Sequence, residues 1–565
     1  MVTKFEVYSK LAKHAQDDGD FDMAIGLLEK ALKEKPEDYE TSMNLVKARI
    51  SGTRPPHISI VLKDVEKAFL NDPSQIEPYK FILPLLYQNK LPEFATWIER
   101  ALVAFPDEVL FLNFAGVKAM ETNPVKARSY FSKCVAQDPM NAEHHFNCGI
   151  TYMQRLDFLH DTDDKSIWHF QMALCCKPGW IDAKRALVEA YVKHSKFKEA
   201  TMILSDGDTA IEVLQIEAKW RGCIEPVDYN ELITKVSNDT GMLGSVLKNQ
   251  CGYFEALCQY EKAEKAYRHV YEFRDQYFGK DSFMNYDSCL GLGQYLCKLG
   301  NWDEGLPIMC DAIMTPSNIE NRWEGDVVDH LVIHNEVLGV GDHMFYARYV
   351  PWAAAKARKT TMIVVPQMKH IFMGLSNICT VTTDTSVVGD AWIDCSHLIK
   401  FFGPVPMPDF VPTSAPTKPT GKAIVHLITS NNPLLQYRRE IPFDVVRGLL
   451  DVPKYKWFSV CKQAETHPNL TDLSDTLDKG PDSFKDTMKL MTEVDFVITC
   501  DTSIAHLAAL MKRPCILLLT TLSEFRWGCE HASFDWYPTV KYIRQKEWGS
   551  WTPLSIQEIE TRLAE

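Results

Sequence analysis

The 565-residue sequence carries 61 basic and 75 acidic residues, a net charge of -14, and is 46% hydrophobic and 24% charged. A chain of this length cannot share one core and is expected to form about two to four globular units; its apolar content argues against disorder. The acidic balance opposes strong attachment to duplex nucleic acid or an anionic membrane.

Sixteen cysteines occur without a Cys-x-x-Cys pair, as expected of reduced, buried thiols in a cytoplasmic protein rather than a zinc knuckle. No metal site is predicted. The opening Met-Val-Thr-Lys-Phe runs straight into a charged amphipathic pattern. No apolar run approaches the roughly 20 residues that cross a bilayer, so the chain reads as soluble, unexported and without a membrane span.

Residues 5–38 place Tyr8, Leu11, Ala12, Ala24, Leu28, Ala31 and Pro36 at the spacing of a helix pair, with small residues where helices must approach. A small residue followed five positions later by proline recurs at Ala31/Pro36, Ala68/Pro73, Ala101/Pro106, Cys134/Pro139 and Ala173/Pro178, the prolines standing 37, 33, 33 and 39 residues apart. The pattern resembles the tetratricopeptide repeat, with insertions around 52–57 and 157–165. Degenerate pairs follow around Ala186 to Leu204, Tyr253 to Tyr267, and Leu290 to Trp302, so that an α-solenoid is expected over residues 1–318. Stacked pairs share one core and leave a groove. That groove is expected to help bind an acceptor or partner, or else to prop up the rest of the chain; a homodimer is compatible with it. The Asp161-Thr162-Asp163-Asp164 run falls in an insertion and reads as a solvated loop.

Beyond Trp323 the pattern changes to short apolar runs alternating with helices, the mark of an α/β domain with parallel sheets. A first Rossmann-like lobe is expected over 319–403, with strands at 330–334 and 361–365 and a helix from Met344 to Lys356. Gly339 and Gly341 allow a tight strand-to-helix crossing and close ligand approach. Six prolines between Pro404 and Pro419 predict a semi-rigid connection over 404–421. A second lobe follows over 422–565, with strands at 422–429, 455–461, 496–500, 515–520 and 540–545. Its helices are expected near 441–450, 483–494, 503–511 and 554–565.

Chemistry is expected between the two lobes. Phe496 to Cys500 reads as a buried strand that breaks at Asp501, Thr502 and Ser503 before a helix carrying His506. Amides at that helix start, with the Thr502 and Ser503 hydroxyls, suit a diphosphate, although the same residues serve as an ordinary N-cap. Asn432, then Arg438 and Arg439, follow the lobe's first strand, and Lys462 with Gln463 follows its second; cations there would neutralise a leaving nucleoside diphosphate.

The matched blocks are Gly339-Val-Gly-Asp342 with Phe345-Tyr-Ala-Arg-Tyr349, Arg438-Arg-Glu-Ile-Pro442, Val494 to Ala509, Arg526-Trp527, Trp536-Tyr-Pro538 and Arg544-Gln545. With them the second half resembles the heptosyltransferase-like glycosyltransferases over about 320–555, in the arrangement where that unit follows tetratricopeptide repeats. The resemblance implies a GT-B fold, an inverting transfer without an essential metal or other cofactor, and a nucleotide-sugar donor held mainly by the second lobe. It implies Asp342 as catalytic base, with His343 and His334 as alternatives. Asp501, Thr502, Ser503 and His506 are implied to line the donor. A carboxylate on the glycine turn could take the proton of an acceptor hydroxyl on a protein or glycan; it could also cap the following helix. His506 could equally be packed in the core. Val337-Leu338 and Ile428 to Asn432 depart from the family pattern and leave the sugar contacts open. Two other readings stand beside the enzyme: a non-catalytic repeat scaffold that keeps the GT-B shape, and glycosylation of a hydroxylated nucleic-acid base, which the charge disfavours.

Overall fold

The computed structural model describes residues 2–52, 57–120, 122–153, 165–223, 225–280, 282–312, 321–335, 339–411, 419–427, 437–461, 465–532 and 534–565. The chain divides into two compact units, Met1–Ala190 and Tyr191–Glu565.

The first unit is a stack of helix pairs, beginning with Lys4–Asp17 and Phe21–Glu34 and continuing through Ala142–Met153 and Lys165–Cys176. Side-chain caps fix many of the starts: Thr3 and Glu6 form a reciprocal capping box, while Asp20 and Asp38 accept amide protons at the next two caps. The recurring small residues Ala31, Ala68, Ala101, Cys134 and Ala173 are all completely buried, as the repeat pattern requires. Leu11 differs from expectation: it faces outward, and Ala12 takes the interior position. The Asp161 to Asp164 run lies outside the described residues.

Helix pairs continue in the second unit, from Phe197–Met202 and Thr209–Arg221 to Phe283–Lys298 and Trp302–Ala312. A Cβ on Gly305 would meet the Gly293 carbonyl at 2.7 Å, so the last two helices touch backbone to backbone. This end of the array packs on the second lobe. Trp302 meets Trp536 edge-on, and the Trp548 indole donates to the Trp220 carbonyl at 2.8 Å. The Lys298 ammonium bonds both Glu255 (2.8 Å) and the Thr521 carbonyl (2.9 Å) in a buried setting.

Two parallel sheets follow. The first contains β1 (Val328–Asn335), β2 (Ala357–Val364), β3 (Thr380–Thr382) and β4 (Ala391–Asp394), in the order β3-β2-β1-β4. The second contains β5 (Lys422–His426), β6 (Lys456–Ser459), β7 (Leu470–Asp472), β8 (Phe496–Cys500), β9 (Cys515–Leu519) and β10 (Val540–Arg544), in the order β10-β9-β8-β5-β6-β7. Every pairing is parallel. Central strands β8 and β9 are buried throughout, which is why they read as unbroken apolar runs.

The seven expected strands are present, and β3, β4 and β7 were not anticipated. Each is a three- or four-residue strand at a sheet edge, too short to display a period. The expected Met344 to Lys356 helix begins earlier and breaks. It runs Val340–Tyr346, passes through a tight turn at Ala347–Tyr349 and resumes at Val350–Ala354. Pro351 cannot donate the amide hydrogen a continuous helix would need. Of the proline-rich connection, 412–418 lie outside the described residues; before them Val405 accepts from Arg348 and Asp409 pairs with Lys512.

Candidate functional site

The Val340–Tyr346 helix after β1 and the Ser503–Leu510 helix after β8 meet at their starts. A Cβ on Gly341 would lie 3.1 Å from His506 Cδ2 and 3.6 Å from Ser503 Cα, so glycine here permits close approach between the two sheets' helices. Gly339 caps its helix with extended backbone (φ -64, ψ 153) and does not use the left-handed freedom expected of it. Asp342 stands at the third helical position rather than at the cap, and it makes no cap bond. Its carboxylate instead accepts from Arg526 Nη2 at 2.7 Å, across 184 residues of sequence.

Arg526 belongs to a chain of ion pairs. Its Nη2 also lies 2.9 Å from Glu524, Glu524 is shared with Arg439, and Arg439 Nε approaches Asp501 Oδ2 at 3.5 Å. The network therefore runs Asp342, Arg526, Glu524, Arg439, Asp501 from one lobe to the other. Burial opposes the charge on Arg526, but Asp342, Tyr346 and Asp501 outweigh it and raise its pKa. The Asp342 side chain is 34% exposed and that of Arg526 8% exposed, so the acid is the more open of the two.

Thr502 caps the Ser503–Leu510 helix, its hydroxyl accepting from the Ile504 amide at 3.3 Å and lying 3.2 Å from the Thr499 hydroxyl. One of the amides expected to receive a phosphate is thus already engaged. Thr502 is buried and Ser503 partly open, at the junction of the lobes. His506 is packed rather than presented to a ligand. It is 2% exposed, its Nδ1 lies 2.7 Å from the Tyr537 hydroxyl, and its ring stacks on Trp527. Burial first, and then Arg526, Arg348 and Arg439, hold its pKa well below the ordinary histidine value. His343 is likewise buried, and His334 packs edge-on against Trp392.

Arg438 forms none of the ion pairs of this network; burial opposes its charge, and Tyr437, Glu255, Tyr267 and Asp501 favour it. It donates to the Leu522 carbonyl at 3.3 Å and faces a cavity against the repeat helices; the neighbouring Arg439 is the arginine that meets Asp501. Consecutive residues in a short helical segment point in different directions, which the sequence could not resolve. Asn432, Lys462 and Gln463 lie outside the described residues. Arg526 stands in a block already matched by resemblance, but nothing in the sequence linked it to Asp342. Arg439 was expected beside Arg438 as a cation facing the cleft, whereas Glu524 carried no signal of its own.

Residues 469–548 match the family model described as glycosyltransferase family 9 (heptosyltransferase). The second lobe carries a glycosyltransferase domain. This glycosyltransferase segment includes Asp501, Thr502, Ser503, His506, Glu524 and Arg526, and it excludes Asp342 and Arg438. No curated protein matches the chain. Solved structures similar to it include YrrB, titled a TPR protein with an unusual peptide-binding site, at 18% identity over 31% of this chain and 88% of that one, TM-score 0.26. A tetratricopeptide repeat protein from Parabacteroides merdae matches at 15% identity over 50% and 97%, TM-score 0.29. Pseudomonas aeruginosa pilF matches at 14% identity over 38% and 97%, TM-score 0.29. Similarities of this size carry no functional inference. Among the described residues no helix is long and apolar enough to cross a membrane.

Proposed function

We propose that the protein transfers a sugar from a nucleoside-diphosphate donor to a hydroxyl acceptor on a protein or glycan, with inversion at the anomeric carbon. The observation that carries this reading is the ion-pair chain joining Asp342 of the first lobe to Asp501 of the matched glycosyltransferase segment through Arg526 and Arg439. An incoming diphosphate competes for Arg526 and Arg439, and by taking them it releases Asp342. Asp342 then accepts the acceptor's hydroxyl proton as that oxygen bonds to the anomeric carbon. The bond from that carbon to the diphosphate oxygen breaks, and its electron pair leaves with the diphosphate. One displacement inverts configuration, and the two guanidinium groups neutralise the growing charge without requiring a metal.

The test is to incubate purified protein with UDP-, ADP-, GDP- and CMP-sugars and follow nucleotide release, with and without acceptors. Release from one class among the UDP-, ADP- and GDP-sugars, with an anomer opposite to that of the donor, supports the reading, whereas release from CMP-sugars alone, whose leaving group is a monophosphate, refutes the diphosphate donor. Neither binding nor release across the panel refutes it and favours a scaffold role.

A further inference from the structure

A cavity of about 460 Å³ lies between the last repeat helices and the second lobe, a size typical of small-molecule sites. One face of each of three helices, Thr209–Arg221, Thr240–Ala256 and Phe283–Lys298, lines it, together with Tyr437, Arg438 and the Leu522 to Phe525 segment. Its charges cancel, four carboxylates against four cations. Arg221 meets Glu217 at 2.5 Å, Lys248 holds Asp287, and Glu524 is shared by Arg439 and Arg526. The buried Glu255 lies 2.8 Å from Lys298 and also answers the charge of Arg438. A charged ligand would have to break one of these pairs before making its own, so the lining selects against net charge.

The polar groups left over are neutral. Asn249 Oδ1 accepts from both Trp220 Nε1 (2.9 Å) and the Tyr229 hydroxyl. That fixes the orientation of the amide and leaves its Nδ2 hydrogens without a partner among the described residues. The Gln294 amide and the Tyr437 hydroxyl also line the cavity, and neither makes a hydrogen bond among the described residues. A primary amide and a phenol both donate and accept. Leu214, Met284, Leu290 and Phe525 supply apolar wall between these groups. The matching ligand is therefore uncharged, donates as well as accepts, and carries apolar faces. A sugar ring has this make-up, with hydroxyls around its edge and C–H groups on its faces.

The cavity also borders the ion-pair chain. Glu524 lines it and lies 2.9 Å from Arg526, which in turn holds Asp342 at 2.7 Å; Asp342 itself is not part of the lining. We propose that the cavity holds a neutral sugar unit of the acceptor, the one behind the unit whose hydroxyl reacts at Asp342. Asn249, Gln294 and Tyr437 bind its hydroxyls, and the acceptor is an uncharged glycan of more than one sugar. The part this site plays in transfer rests on the transferase reading; its capacity to bind a neutral saccharide does not.

Saturation-transfer NMR of the whole chain tests it without any turnover. The probes are the neutral disaccharides maltose, lactose, mannobiose and chitobiose, the charged compounds glucuronate and glycerol 3-phosphate, and a threonine-containing tripeptide. At least one disaccharide is expected to bind, more tightly than either charged compound or the tripeptide. Gln294→Leu and Tyr437→Phe are each expected to weaken it about threefold to tenfold, the worth of one hydrogen bond. The two variants lie on different elements, and the phenylalanine keeps the ring contacts of Tyr437 with Trp220 and Trp548, which guards against a folding defect in one of them. Absence of binding by every disaccharide, tighter binding of a charged compound or of the tripeptide, or full affinity in both variants overturns the proposal. Donor hydrolysis by the unaltered protein is measured in parallel: its absence would sink the transferase reading while the NMR titration still decides the saccharide site.

Discussion

Asp342→Asn separates chemistry from architecture, because the two consequences differ in size. Removing a general base lowers the transfer rate about 10²–10⁴-fold, or ~3–5 kcal/mol of barrier. The structural cost is smaller. The substitution weakens one charge-assisted hydrogen bond of ~1.5–3 kcal/mol. Glu524 remains 2.9 Å from Arg526, and the asparagine oxygen can still accept from Nη2. The Asp342 side chain is 34% exposed, so solvent further reduces the loss, to ~1 kcal/mol. Donor affinity should rise rather than fall, because one carboxylate no longer competes with the diphosphate for Arg526. Initial rates of transfer, donor titration and urea unfolding read the three effects independently. Transfer within about threefold of the parent would refute Asp342 as the base, and weaker donor binding would refute the exchange of ion-pair partners.

Gly341→Ala places a methyl 3.1 Å from His506 Cδ2 and should cost ~1–3 kcal/mol by forcing the two helices apart; thermal unfolding with parallel donor titration checks it. Lys298→Met takes the ammonium from the buried Glu255, leaving it the Tyr267 hydroxyl at 2.9 Å and the charge of Arg438, and also removes the bond to Thr521; it should destabilise the second unit by ~3 kcal/mol, seen as a lower urea midpoint. In the first unit, burial and the neighbouring His145 lower His169 to about 4. As pH falls below the ordinary histidine value the unfolded chain takes up a proton that the folded one refuses. The stability of that unit should therefore decline toward pH 4 by up to ~1.4 kcal/mol per pH unit. His169→Asn should flatten that slope, and an unchanged slope would show that this residue is not responsible.

Repeat spacing and apolar runs were legible in the sequence because both follow from local geometry: a small residue marks a helix crossing, and a doubly covered strand is apolar along its length. The five buried small residues and the fully buried β8 and β9 bear this out. Edge strands β3, β4 and β7 escaped because three or four residues carry no period. The helix from Val340 started earlier than its apolar pattern suggested because Gly339 caps it.

What the sequence determined by itself was the order of the parts, a helical repeat array followed by two parallel α/β lobes, and it singled out two segments, Gly339 to Asp342 and Asp501 to His506, that the fold brings together. Only the tertiary structure decided which side chains meet there. It paired Asp342 with Arg526, turned Arg439 rather than Arg438 toward Asp501, and packed His506 against Tyr537 and Trp527. The reason is physical: helix and strand periods are short-range properties of the backbone, whereas an ion pair spanning 184 residues exists only once two separately formed sheets have set the direction of each side chain.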